Sequence, residues 1–495
     1  MTRTRMIPAL VVSGLALGVA LRIWILLSSQ GALDGDEAVW GLMAKHVLAG
    51  QIPTFYWGQA YGGSQETLVA AALFWMFGVG TTALKVTPIL FWAAATVLLW
   101  RVGRRTLGEP RARIAAALFW MWPVYFVWKS TFAHGFYGAG LVFGLWAMLA
   151  ALRLRERSRR LDLVSLGVAL GLGWWATPEV AILGLPAVLW LAWERRDVIR
   201  GIWIAAPAFA LGSLPWWIWN VRHHWGSLHT GRDETSKFGH LHNLVSTTLP
   251  TALGLRLPFS LSWLPNVEIG GALYVVALAG FAWLLVRRPR GVGLPLLAAA
   301  VFPVLYSVSP YTWLTTEPRY LTLIAPIIVV LVVSAARSAE RALALFVVAA
   351  AFSIAGVALM ESRDLAGAHT GGVAVPADFT PLLRTLYEHR ATRLWASYWI
   401  AYRITFESDE RIVAAEPASA GYAVRDSRVV PTGKGSVISW GRHAAYQLEV
   451  NRSPRAAFVF VSGEPTERPA RPLLRRERYA LVRTDGFDVW FPPAR

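Results

Sequence analysis

Over the first 360 residues, long apolar runs alternate with short arginine-rich turns, and beyond residue 360 the alternation stops. The first run, 7–29, follows a basic Thr2-Arg3-Thr4-Arg5 start. It is about 23 residues long, enough for a helix to span a hydrocarbon core of about 30 Å. Its length, with Arg22 inside it, argues against a cleaved signal peptide, so an uncleaved span is predicted. Runs at 82–100, 114–128, 135–152, 161–176, 180–193, 202–219, 269–286, 294–308, 320–336 and 342–360 bring the prediction to about 11 transmembrane helices. Residues 68–77 are apolar too. Ten residues of helix rise only about 15 Å, so an interfacial or re-entrant piece is expected there.

The basic turns set the orientation. With 68–77 not counted as a span, Arg101 to Arg113, Arg153 to Arg160, Arg195-Arg196, Arg287-Arg288 and Arg337 to Arg341 all fall on the side of the N-terminus. Residues 1–360 hold 29 Lys and Arg and 15 Asp and Glu; the N-terminus and these turns, with Arg200 and Arg290 beside them, take 20 bases and six acids, leaving nine of each elsewhere. Such an imbalance marks a cytoplasmic face. A multi-pass protein of the plasma (inner) membrane is predicted, with the N-terminus cytoplasmic and the C-terminus on the far side.

Composition agrees with this class. Hydrophobic residues make up 55% of the 495 and charged ones 16%, mean hydropathy is +0.43 and there are 26 Trp, values of a polytopic membrane protein. The net charge of +18 comes from arginines dispersed between apolar runs, which is a topology signal rather than a nucleic-acid surface. Cysteine is absent, so neither disulfides nor thiolate metal sites exist.

Residues 361–495 carry 19 Lys and Arg and 15 Asp and Glu without a long apolar run, so a soluble domain is expected. A helix is predicted at 381–390 and strands at 394–398, 411–415 and 456–461. A hairpin is predicted at 479–491, turning at Thr484-Asp485-Gly486. The organisation predicted is a membrane module, 1–362, whose first extracytoplasmic loop, 31–81, carries the chemistry, followed by a small extracytoplasmic α/β domain, 363–495.

That first loop opens on Asp34-Gly35-Asp36-Glu37, three carboxylates in four residues close to hydrocarbon. Such a cluster is costly there unless it serves a purpose. After it, Val39, Leu42, Met43 and Val47 recur at helical spacing and predict a helix along the membrane surface. Capping accounts for part of the cluster, with Asp34 as N-cap and Glu37 three residues on. It accounts less well for Asp36. Adjacent helical positions diverge, so Asp36 and Glu37 cannot face one cavity equally.

At this point the chain resembles the C-type glycosyltransferase (GT-C) superfamily, in the branch of protein O-mannosyltransferases, lipid A aminoarabinose transferase and bacterial family 39-like relatives. The resemblance rests on the loop opening Asp36-Glu37, the surface helix ending near Gly50, the aromatic stretch Phe55-Tyr56-Trp57-Gly58-Gln59-Ala60-Tyr61-Gly62-Gly63, the basic turn Gly103-Arg104-Arg105-Thr106-Leu107-Gly108, and Glu317-Pro318-Arg319-Tyr320-Leu321 before Ala325-Pro326. It implies a GT-C fold and inverting transfer of a sugar from a polyprenyl-phosphate donor to an extracytoplasmic hydroxyl on an envelope glycan, lipid or protein. By the same resemblance Asp36 is the base and Glu37 its supporting neighbour. A departing phosphate needs cations, and Arg319, which can grip it bidentately, is the first candidate, with Tyr320 beside it. Lys85, Lys129, Arg222 and Arg256 are weaker candidates, better read as interfacial anchors.

The chain departs from the family pattern in Lys129-Ser130-Thr131-Phe132-Ala133-His134-Gly135, where many relatives carry a second acidic residue, or a basic one, and this stretch has no carboxylate. His134 is a candidate for substrate binding there, and Glu66 or Glu179 for replacing the acid. The loop 220–258 holds His223, His224, His229, His240, His242, Asp233 and Glu234 in no recognised ligand spacing, so a divalent cation is conceivable but no cofactor is expected. The competing class is a transporter or lipid flippase. It would call for ionisable residues near the midplane and matched halves, whereas only Arg22 and Glu179 lie in or beside spans and no halves match. A GT-C scaffold without catalysis is a third reading.

Overall fold

The computed structural model describes residues 3–229, 236–312, 314–336, 339–417, 421–425, 428–432 and 441–493. The helices begin with α1 (Arg3–Leu27), α2 (Gly35–Leu48), α3 (Gln65–Phe77) and α4 (Thr81–Thr106). Next come α5 (Glu109–Met121), α6 (Val124–Lys129), α7 (Tyr137–Glu156), α8 (Arg160–Ala176) and α9 (Ala181–Glu194). They continue with α10 (Ile202–Gly212), α11 (Leu214–Arg222), α12 (Lys237–Asn243), α13 (Leu249–Ala252) and α14 (Val267–Arg287), then α15 (Gly293–Val308), α16 (Ala325–Ala335) and α17 (Ala339–Ser362). Every predicted apolar run is helical, but two are not single helices. The run 114–128 breaks at Trp122-Pro123 into α5 and α6, because proline has no N–H to continue the ladder. The run 202–219 bends by 62° between α10 and α11.

Among the described residues, five helices are long and apolar enough to cross a membrane, or six if α10 and α11 form one bent span. By length and composition alone, five or six of the predicted runs pass as crossings. The remaining runs form shorter helices such as α15 and α16.

The C-terminal part contains β1 (His369–Thr370), β2 (Val373–Ala374), β3 (Arg393–Ala396), β4 (Val413–Ala415), β5 (Gly421–Arg425), β6 (Arg428–Thr432), β7 (Ala457–Val461), β8 (Ala480–Thr484) and β9 (Phe487–Phe491). Its helices are α18 (Thr380–Glu388), α19 (Tyr398–Glu407), α20 (Ala444–Arg452) and α21 (Glu467–Arg476). One five-stranded sheet runs β4-β3-β7-β9-β8, parallel across β4, β3 and β7 and antiparallel across β7, β9 and β8. The interior strands β7 and β9 are buried along their whole length, and β7 accordingly reads as an unbroken apolar segment instead of an alternating one, whereas β9 carries the buried Asp488. Ile400, Ala401 and Ile404 of α19 and Leu382 and Leu386 of α18 join Leu394, Val459 and Val489 of the sheet in one core.

The chain forms two compact units. One comprises Met1–Ser28, Ala60–Glu66 and Val86–Leu365. The other is not the tail alone, for Ser29–Gln59 and Thr67–Lys85 belong with Ala366–Arg495. Within this second unit α2 is buried over nearly all of Gly35–Ala44, where the sequence predicts a surface helix with one wet face. It packs on α19 so closely that a Cβ at Gly35 would lie 2.9 Å from the Tyr398 carbonyl oxygen, and one at Gly41 2.5 Å from the Phe406 ring. Two glycines one and a half turns apart thus set how near α2 approaches α19.

Candidate active site

Two polar clusters hold the predicted residues, one in each unit. In the second unit Asp34 is the N-cap of α2, accepting the Glu37 N–H at 2.8 Å. Burial, with Glu37 and Asp36 nearby, raises its carboxyl well above the ordinary range. The expected cap is present, but Glu37 does not close a capping box. Its side chain is fully buried in an ion pair with Lys85, Oε2 to Nζ 2.6 Å, and Lys85 also donates to the Ala32 carbonyl oxygen at 3.4 Å.

Asp36 points differently, as adjacent helical positions must. Its Oδ1 accepts from the Tyr398 hydroxyl, and from the Tyr56 hydroxyl at 3.2 Å, and lies 3.8 Å from an Arg442 guanidinium nitrogen. Arg442 is fixed in turn. Its Nε donates to the Tyr398 hydroxyl at 3.2 Å, its guanidinium covers the Tyr56 ring at 4.8 Å, and Gln59, with its amide oxygen turned inward, accepts from it at 2.5 and 3.1 Å. The Tyr402 hydroxyl anchors the backbone N–H of Arg442 at 2.6 Å. The Asp36 carboxylate is 16% exposed, so it is held by three side chains without being sealed.

At the far end of α2, Lys45 pairs with Asp409 at 2.6 Å and Glu410 at 2.8 Å, and His46 Nε2 lies 2.9 Å from Glu410. The Tyr446 hydroxyl donates to Glu410 at 2.6 Å. Burial opposes ionisation of Glu410, but hydrogen bonds from His46, Lys45 and Tyr446 prevail and hold it at about 2. The hydrogen bond to Glu410 raises His46.

In the first unit Arg319 opens the turn Arg319–Leu321 and grips Glu317 through both Nε, at 2.6 Å, and Nη2. The Tyr125 hydroxyl donates to the other Glu317 oxygen at 2.7 Å. Lys129 lies 2.8 Å from His134 Nδ1 and 5.1 Å from the Tyr137 ring centre. Glu179, in the turn between α8 and α9, is within electrostatic reach of Arg319 and Lys129, and Tyr320 is buried within reach of Arg319 and Glu179. Burial pushes Glu179 up to about 8 despite both cations, and among the described residues its Oε2 makes no hydrogen bond. Burial also opposes ionisation of Glu317, yet Arg319 and then Lys129 draw it below the ordinary range. One neutral and one ionised carboxyl beside two cations is the division of roles expected at a functional site.

A carboxyl group from the start of α3 reaches the start of α7. Glu66, at the start of α3, is buried, and its Oε1 accepts the Ala139 N–H in the first turn of α7 at 2.9 Å. Burial pushes Glu66 up to about 8 against the backbone N–H groups at the start of α7.

The structure therefore brings Glu37 to Lys85, Lys129 to His134, and Tyr320 to Arg319. Asp36 belongs to the second unit and Arg319 to the first. Of the other cations weighed, Arg256 lies over the Trp263 ring at 4.2 Å, as an anchoring residue does. In the histidine loop, His240 Nδ1 lies 2.9 Å from the Thr312 hydroxyl, and His223 and His229 bond main-chain carbonyls of their own turns. Among the described residues no group of three His, Asp or Glu could hold a metal ion; Asp233, Glu234 and Arg337 lie outside them. The sequence reading missed Tyr398 and Arg442. Tyr56 lies in the aromatic stretch that it did single out, but Tyr398 is 362 residues from Asp36 and nothing local marks it.

A bundle of apolar helices, an acid-led first loop and a C-terminal sheet domain define the class: a multi-helix membrane protein with the fold of ArnT. The family model for dolichyl-phosphate-mannose-protein mannosyltransferases matches residues 67–219. The structure is similar to ArnT from Cupriavidus metallidurans in the apo state, at 14% identity over 97% of each chain with a TM-score of 0.66. It is also similar to ArnT from that organism bound to undecaprenyl phosphate, at 15% identity over 99% of this chain and 98% of that one, with a TM-score of 0.58. The apo oligosaccharyltransferase of Archaeoglobus fulgidus aligns at 12% identity over 93% of this chain and 70% of its own, with a TM-score of 0.50. No curated protein sequence matches the chain significantly.

Proposed function

We propose that this protein is an inverting membrane glycosyltransferase that moves a sugar from a polyprenyl-phosphate donor to a hydroxyl of an envelope glycan, lipid or protein outside the cytoplasm. The observation that carries the reading is the hold on Asp36. In a fold shared along nearly its whole length with a protein solved with undecaprenyl phosphate, the first loop presents a carboxylate whose Oδ1 is fixed by Tyr56, Tyr398 and Arg442. Asp36 takes the acceptor proton as the acceptor oxygen bonds to the anomeric carbon. The bond from that carbon to the phosphate oxygen breaks, and the charge leaves on the polyprenyl phosphate. Arg319 and Lys129 stabilise that charge, with Tyr320 and His134 lining the same cluster. Glu37 and Lys85 hold the start of α2 in place, so their part is support for Asp36.

The test uses purified full-length protein with a defined polyprenyl-phosphate-sugar donor. Asp36→Asn is expected to lower transfer by about 100-fold to 10,000-fold with unchanged membrane insertion. Full activity in that variant refutes the assigned base. Arg319→Ala is expected to weaken donor binding more than acceptor binding; normal donor affinity would make Arg319 a structural partner of Glu317 alone.

A further inference from the structure

At the ends of α4, α14 and α16 and the start of α5, the first unit encloses a cavity of about 490 Å³ lined by Thr106, Leu107, Arg111, Trp283, Arg287, Pro289, Arg290, Val292 and Ser334. This volume suits a ligand headgroup. Among the described residues three arginines line it and no carboxylate does. Arg287 and Arg290 are exposed and make no ion pair among the described residues. The loop that carries Arg290 is seated tightly. Gly291 has φ +92°, and a Cβ there would lie 2.4 Å from the Thr106 carbonyl oxygen, so only glycine brings the loop this near α4.

We propose that this cavity binds the phosphate headgroup of an anionic membrane lipid, separately from the sugar-transfer site. The arginine fork matches phosphate geometry, and basic pockets between membrane helices are suited to lipid phosphates. The apolar part of the wall favours a lipid over a free anion. Trp283 and Arg287 lie four residues apart on one face of α14, and both line the cavity. The flank of α14 leaves Val275, Val276 and Val286 at 64%, 66% and 82% exposure, a surface along which an acyl chain can lie.

Arg288 supplies the control. It neighbours Arg287 but does not line the cavity; its Nε donates to the Leu285 carbonyl oxygen at 3.3 Å. The full-length protein in mixed micelles is titrated with phosphatidylglycerol, phosphatidylcholine or orthophosphate, with bound lipid counted by native mass spectrometry. Phosphatidylglycerol is expected to bind in preference to phosphatidylcholine. R287A/R290A is expected to weaken it about thirtyfold, and R288A to leave it unchanged. Both substitutions fall at exposed positions, so packing is retained. Equal binding of the two lipids, or equal loss in R288A, overturns the site. Orthophosphate binding as tightly as phosphatidylglycerol overturns the lipid in favour of a free phosphate. Transfer activity is not the readout, so failure here leaves the proposed reaction untouched.

Discussion

At the scale of single residues, the acid cluster divides into three tasks. Asp34 caps, Glu37 is buried against Lys85, and Asp36 faces two tyrosines and an arginine. The hundred-degree step between helical neighbours separates them, and this much is foreseeable from spacing. The partners are not. The sequence reading treats Lys85 as an anchor or phosphate ligand, because nothing in a cation's local context announces a buried carboxylate 48 residues earlier. Breaking a buried pair strands a charge away from water, which costs more than the pair contributes. Glu37→Gln or Lys85→Met alone is therefore expected to cost about 3–5 kcal/mol, and the two together much less. Thermal unfolding of the three variants in detergent checks this, and additive losses would mean the two side chains are not energetically coupled.

At the scale of elements, legibility followed local pattern. The strand prediction at 456–461 and the hairpin at 479–491 became β7, β8 and β9, because an apolar run between turn residues has one local solution. Helix α19 was missed. Its Tyr398-Trp399-Ile400-Ala401-Tyr402 start is aromatic and β-branched, and the helix is buried on both sides, by the sheet core and by α2, so no amphipathic period survives. The tie between the end of α2 and the turn after α19 carries a pH dependence. Glu410, depressed from 4.5 to about 2, adds stability above pH 4.5 that is lost as pH falls toward 2. His46, raised from 6.5, adds stability below pH 6.5 that is lost as pH rises through its folded value. Together they make this junction firmest between pH 4.5 and 6.5. Melting of the full-length protein from below pH 4.5 to above pH 6.5 should show Glu410→Gln losing most between those values; a uniform loss at every pH would remove Glu410 from the account.

At the scale of the whole molecule, the arginine-rich turns imply which ends face the cytoplasm, and the absence of cysteine makes the orientation easy to test. A single Arg157→Cys between α7 and α8 is expected to react with a membrane-impermeant maleimide only from the cytoplasmic side, and Asp485→Cys in the β8–β9 turn only from the opposite one. Both residues are exposed. Labelling of the two from one side would overturn the expected topology. By itself the sequence determined the membrane class, nearly every helical run, the C-terminal sheet domain and the acid cluster that opens the first loop, since apolar length, charge asymmetry and short motifs are local properties. Only the tertiary structure decided that Tyr398 and Arg442 hold Asp36, that Glu66 meets the start of α7, and that most of the first loop belongs to one compact unit with the tail. Those facts depend on chain segments distant in sequence becoming neighbours, and a one-dimensional pattern does not encode such distances.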